Sequence, residues 1–206
     1  MEYIAPIFKS AAEAKDFPVA AIDSFMWDEN GYKPESCAAL FGVEGEGIHA
    51  LLWSWEKNPR CVCTKRDEPV YTDSCLELFL MPVEGDDRYV NFEVNKNGVY
   101  LSQIGTCRGD RVFIKELTDL EPVIAPMEIK ADGEKAWGVD ITIPENLISA
   151  LYQTDFSLCE TKIKGNFYKC GDLTEFPHYG AHFPVRTEKP DFHRPEFFGD
   201  IIFRKV

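Results

Sequence analysis

The chain has 206 residues, 45% hydrophobic and 28% charged, a balance that supports an ordinary globular core. Asp plus Glu number 35 against 22 for Lys plus Arg, and the formal net charge of -13 repels phosphate backbones and anionic lipid, which excludes nucleic acid and membrane as expected partners. No apolar run is long enough to span a bilayer, and the start, MEYIAPIFKSAAEAKDF, lacks the basic and long apolar regions of a signal peptide. Seven cysteines, an odd number in a chain that needs no staples, predict free thiols in a reducing compartment. The expectation is a cytoplasmic protein on the sequence as it stands, and an extracytoplasmic one if a leader has been trimmed. Oligomeric state has no signature.

In chain order, KDFPVAAIDSF reads as an opening strand, and CAALFGV and GIHALLWSW as a hairpin around EGEG. Cys61 and Cys63, spaced C-x-C, would share one side of a strand and read as small core residues. SCLELFLMP is followed by the turn EGDD and then by RYVNFEVN. The turn KNG leads into VYLSQIG, a hairpin signal because Asn-Gly suits positive φ. VIAPMEIKADG pairs with AWGVDITIP, and PENLISALY is the one helical stretch, over 144–151, with Pro144 at its first position. GNFYKCGD is a further strand. A long irregular stretch, LTEFPHYGAHFPVRTEKPDFHRPEFFG, precedes the closing strand DIIFRKV. No repeat or linker divides the chain, so residues 1–206 read as one domain: all-β, an antiparallel β-sandwich of jelly-roll kind with one short helix.

Alternation then collects polar groups on one face. In TDSCLELFL, Leu76, Leu78 and Leu80 share the core side, while Glu77 stands between Cys75 and Phe79 on the other. The next strand brings Asn91, Glu93 and Asn95 to the same face. HALLWSW aligns His49, Leu51, Trp53 and Trp55, and NFYKC offers Asn166, Tyr168 and Cys170 on one side with Phe167 and Lys169 on the other. Acids, amides and flat rings suit a neutral polyhydroxy ligand, because carboxylates and amides bind hydroxyls and rings stack on apolar sugar faces. A polar, solvated outer face is the plainer alternative.

VYTDSCLELFLMP, YVNFEVNKNGVY, GNFYKCGD and KPDFHRPEFFGDIIF, with Trp27 before YKPES, together resemble the family 9 carbohydrate-binding modules, in particular their stand-alone branch. The resemblance implies a DOMON-like β-sandwich that binds sugar without catalysis, serves carbohydrate breakdown, and can carry structural calcium. It implies two aromatic rings gripping a terminal sugar while charged groups bond its hydroxyls. Tyr71 takes the first ring position, Glu77 the acid of its strand, and Glu93, beside Asn91 and Asn95, the polar position of the next. After CGD the branch usually continues PHFLSW. Here PHYGAHFP puts His182 at the Trp position, with His178, Tyr179, Trp53 and Trp55 as substitutes. The expected ligand residues are therefore Tyr71, Glu77, Asn91, Glu93, Asn95, Tyr168, Lys169, His178, Trp53 and Trp55, on a shallow polar floor.

Two other chemistries fit the same residues. Glu77 and Glu93 on adjacent strands could lie about 5–9 Å apart, the separation glycoside hydrolases use. His178 and His182, spaced H-x3-H with His193, Cys170 and Asp172 following or preceding, offer a haem or transition-metal site of the kind some DOMON-like domains hold. The acidic turn Glu84 to Asp87 is the one candidate for weak calcium binding.

Overall fold

A computed structural model of the chain describes residues 1–28, 30–131 and 133–206. Asp132, within the predicted segment VIAPMEIKADG, lies outside the described residues. The strands are β1 (Glu2–Phe8), β2 (Ala20–Ala21), β3 (Glu35–Val43), β4 (Gly47–Trp55), β5 (Cys75–Met81), β6 (Tyr89–Asn95), β7 (Tyr100–Gly105), β8 (Val112–Phe113), β9 (Val123–Ala131), β10 (Glu134–Pro144), β11 (Lys162–Cys170), β12 (Tyr179–Ala181) and β13 (Gly199–Lys205). One α-helix, α1 (Glu145–Tyr152), follows β10. Pro144 stands just before it in extended conformation, and Gln153 closes it in the left-handed region at φ 53°.

The predicted hairpins form. Val43 pairs with Gly47 across EGEG, and Gly98, at φ +80°, makes the turn that lets Asn95 bond Val99. The opening strand does not form where KDFPVAAIDSF placed it. In that segment Ala20–Ala21 pairs with β3 and Ser24 makes a lone bridge to Ala181, while Pro18 has no donor to offer a longer ladder. The N-terminal strand is instead β1, whose Tyr3, Ala5 and Ile7 alternate into the core.

The sheet runs β8-β7-β6-β5-β11-β13-β1-β3-β4-β10-β9, with β12 added to β11 and β2 to β3. The expectation of a purely antiparallel sandwich is corrected here. β1 lies parallel to both β13 and β3, so a single mixed sheet connects the two halves. The cause is connectivity: β1 reaches both neighbours through long excursions, and only tight hairpins oblige strands to run antiparallel. The path curls. Leu76, Leu78 and Leu80 of β5 and Val90, Phe92 and Val94 of β6 enter one core with Leu40 of β3, Ala50 and Leu52 of β4, and Val139 and Ile141 of β10.

Candidate ligand site

The registers of four strands determine what lies side by side on the outer face of β5. Tyr168, Glu77, Glu93 and Leu101 form one lateral row across β11, β5, β6 and β7. Cys170, Cys75 and Asn95 form the next row, and Asn166, Phe79, Asn91 and Gln103 the row on the other side. The alternation rule therefore placed Glu77 beside Glu93 correctly. It did not show that this face is covered. Cys75, Phe79, Tyr89 and Tyr168 join Val70, Val185, Phe192 and Phe198 in a second apolar cluster. Residues of 58–73, 106–111 and 182–198 lie over the sheet beside β12, so the floor is not shallow.

Under that cover lies a cavity of about 390 Å³, with Glu77, Glu93, Leu101, Gln103 and Cys170 from the sheet on its walls. The covering segments add Tyr71, Arg108, Arg111, Asp172, Tyr179, Asp191, Phe192 and His193. Tyr71 sits in a single 3-10 turn, Val70–Thr72, and is 41% exposed, which puts its ring at the rim. Arg108 pairs with Asp191 at 2.8 Å and so joins two of the covering segments. Trp27, five residues ahead of YKPES, packs on Tyr179 and Phe192 and donates its indole N–H to the Thr187 carbonyl. It holds the irregular stretch in place.

Electrostatically the cavity is a buried acid pair under two guanidiniums. Burial pushes the Glu77 carboxyl up to about 7, against the Cys170 thiol, which donates to its Oε1 at 2.8 Å. Glu93 is held well above the usual carboxylate range by burial and then by the neighbouring Glu77, while Arg111 and Arg108 oppose the shift. Asn91 Nδ2 donates to Glu93 Oε1 at 3.0 Å, and Arg111 Nη1 stands 3.9 Å from the same oxygen. Burial also raises Asp172, which Arg108 and a hydrogen bond from Tyr179 pull down. His193 is kept neutral by burial and the two arginines, its pKa lowered to about 2, and its Nδ1 meets the Tyr89 hydroxyl at 2.9 Å.

Of the predicted residues, Tyr71, Glu77 and Glu93 reach the cavity. Asn91 lies beneath it and orients Glu93. Asn95 is structural: its amide donates to Asp73 and the Cys63 carbonyl and accepts from the backbone of residues 97 and 99. Tyr168 is fully buried against Phe192, ring centroids 4.1 Å apart. Trp53 and Trp55 pack in a separate cluster on the other half of the sheet.

Lys169 and His178 also fall outside the cavity. Lys169 alternates to the opposite face from Tyr168 and is fully buried. Its Nζ lies 3.1 Å from Glu56 Oε2, donates to the Cys170 carbonyl and meets His178 Nε2 at 2.8 Å. Ser74 and the Trp137 indole complete the donors to Glu56. The network joins the 56–74 segment to the end of β11.

The three histidines of the metal reading meet different neighbours. His178 is held by Lys169, His182 Nδ1 donates to the Ala21 carbonyl among Tyr3, Phe167 and Phe183, and His193 faces Tyr89. β12 lies between the first two and sends them to different neighbours. In the acidic turn, Arg88 takes both oxygens of Asp86. Among the described residues no helix is long and apolar enough to cross a membrane.

The missed wall residues come mostly from loops. Arg108 and Arg111 follow TC in TCRGDR, where Asp110 accepts from Thr106 and Cys107 and shapes the turn. Tyr179 was legible as a substitute ring beside His178, and the structure puts that ring, not His182, in the cavity.

Residues 8–203 match carbohydrate-binding family 9, and the chain belongs to that family. Among curated proteins none matches significantly. Among solved structures, a candidate carbohydrate-binding protein from Bacteroides uniformis ATCC 8492 is 28% identical, with a TM-score of 0.81 over 98% of this chain and 99% of that one. A family 9 carbohydrate-binding module from Caldicellulosiruptor kristjanssonii, solved with cellotriose and with glucose, is 10% identical with a TM-score of 0.59. That likeness covers 100% of this chain and 95% or 97% of the module.

Proposed function

From membership in carbohydrate-binding family 9 we propose that the chain binds, without catalysis, the end of a glycan or a short oligosaccharide in the cavity above Glu77 and Glu93. The observation that carries this reading is the meeting of two tyrosine rings, Tyr71 and Tyr179, with carboxylates, guanidiniums and the Gln103 amide around one opening. Rings supply flat apolar contact for a sugar face, and the polar groups bond its hydroxyls. At about 390 Å³ the cavity is at the small end of ligand sites, which run roughly 300–1,000 Å³. It takes the end of a chain, not its length. The acid pair and guanidiniums orient hydroxyls, and the protein serves carbohydrate breakdown by holding a partner enzyme or product on sugar.

Gluco-oligosaccharides are the first ligands to test, since the C. kristjanssonii module was solved with cellotriose and glucose. A glycan array followed by calorimetric titration tests the proposal, and absence of any glycan hit would refute it. The same protein assayed on aryl glycosides tests the hydrolase alternative, which the adjacent Glu77 and Glu93 favour. Turnover lost in Glu77→Gln and in Glu93→Gln would replace the binding reading with a catalytic one.

A further inference from the structure

Cys75 and Cys170 stand directly opposite each other on β5 and β11, one lateral row from Glu77. The two sulfurs and a Glu77 oxygen all lie within 4.8 Å of one another, and all three side chains are buried. Cys170 Sγ and Glu77 Oε1 are 2.8 Å apart. Outside that triad, Cys75 Sγ meets the Leu76 carbonyl at 3.8 Å, a weak contact for a fully buried thiol.

We propose that Cys75, Cys170 and Glu77 form a binding site for a thiophilic divalent cation of the zinc class. Two thiolates and a carboxylate are ligand types that zinc takes at about 2.0–2.3 Å, which requires donors roughly 3.5–4 Å apart. The observed spread needs small side-chain rotations to meet that spacing, with no strand movement. Three protein ligands leave a fourth position open. Glu77 and Cys170 line the cavity while Cys75 closes the back, so that position faces the cavity, where water or Asp172 can fill it. The cavity is also the ion's entry path. Binding forms two metal–sulfur bonds and one metal–oxygen bond, and releases the two thiol protons, with any proton on Glu77, to water. No oxidant takes part. The inference does not depend on carbohydrate binding, and its test contains no sugar.

The other thiols must be separated from this pair. Cys107 and Cys159 are exposed and Cys37 and Cys61 are half-buried, so Cys37→Ser/Cys61→Ser/Cys107→Ser/Cys159→Ser serves as the background. Apo protein in this background, kept reduced, is titrated with Cd2+ and followed by the ultraviolet thiolate-to-cadmium charge-transfer band. Zn2+ is then titrated in competition with a chromophoric chelator. One equivalent should saturate the band. Cys75→Ser and Cys170→Ser should each abolish it, and Glu77→Gln should weaken Zn2+ at least tenfold. Should the serine variants not fold, X-ray absorption of the Zn2+-loaded background protein decides, with two sulfurs and one or two oxygen ligands per zinc expected. No band in the background protein, a band that survives in both serine variants, or a zinc shell without two sulfurs would mean that the thiols only pack.

Discussion

Replacing Lys169 by Met separates a ligand-binding lysine from a structural one. The side chain is fully buried, and its Nζ sits 3.1 Å from Glu56, whose own side chain is 1% exposed. Methionine fills nearly the same volume, so the cavity cost is small. What changes is that Glu56 stays buried without its cation. Removing one partner of such a pair costs about 3–5 kcal/mol. Ser74 and Trp137 still donate to Glu56, which keeps the cost toward the lower end. For a chain of this size each kcal/mol moves the melting temperature by about 2–4 °C, so Lys169→Met should melt about 6–20 °C lower. Adding Glu56→Gln removes the stranded charge, and Lys169→Met/Glu56→Gln should recover at least half of the loss. Thermal melts of the three variants test the energies, and calorimetric titration with a glycan from the array tests the site. Sugar affinity should be unchanged in Lys169→Met wherever the protein is folded. A variant that melts like the parent but loses sugar affinity would refute the assignment of Lys169 to a buried network.

Tyr71→Ala and Tyr179→Ala should each weaken sugar binding by roughly 1–2 kcal/mol, the scale of one good aromatic contact, and Tyr71→Ala should leave the melt unchanged because that ring is at the rim; calorimetry beside melts checks both. Asn95→Ala should destabilise the protein by about 1–3 kcal/mol, since it leaves Asp73 and the Cys63 carbonyl short of donors, and urea unfolding should show the loss with sugar affinity intact in the folded protein. His178 is held neutral, its pKa lowered to about 3 by burial and by Lys169. A group depressed in the folded state contributes stability that is present above its unfolded pKa, near 6.5, and lost as pH falls toward 3. Between pH 7 and pH 5 the parent should therefore lose up to about 2 kcal/mol relative to His178→Gln, read from urea midpoints at each pH. Glu77, raised to about 7 by burial, binds a proton in the same window and acts in the opposite sense, so the comparison with His178→Gln, not the parent's curve alone, carries the test.

Period-two alternation was enough to set Glu77, Glu93 and Asn91 on one face, because strand side chains have no other choice once a strand is granted. Alternation also separated Lys169 from Tyr168, and that should have removed Lys169 from a face shared with Glu77. Two things were not readable. One was the pairing of β1: its Tyr3-Ala5-Ile7 pattern is plain, but its parallel neighbours are set by contacts far along the chain, with Glu2 beside Asp200 and Phe8 beside Val43. The other was the cover over the face. Nothing local in a Pro- and Gly-rich stretch says that Phe192 will stack on Tyr168 or that Arg108 will reach Asp191.

The cover changes the physics of the acids more than their position does. On an open floor Glu77 and Glu93 would be hydrated, and their mutual repulsion would be screened to about 1 kcal/mol. Under Phe192, His193 and Tyr179 the same two carboxyls lose water and both are raised, Glu93 well above its ordinary range with Glu77 adding to its shift. The guanidiniums of Arg108 and Arg111 then become necessary, because a buried acid pair without nearby cations costs free energy in the folded state. That requirement explains why both arginines come from the loop between β7 and β8, next in the sheet to Glu93, and why Asp191 draws Arg108 across to the C-terminal segment. A sugar hydroxyl entering this space meets donors and acceptors already desolvated and oriented. Cys75 and Cys170 are buried by the same cover, and burial pushes the Cys75 thiol up to about 12. A cation arriving through the cavity would turn those two buried thiols and Glu77 into its ligands.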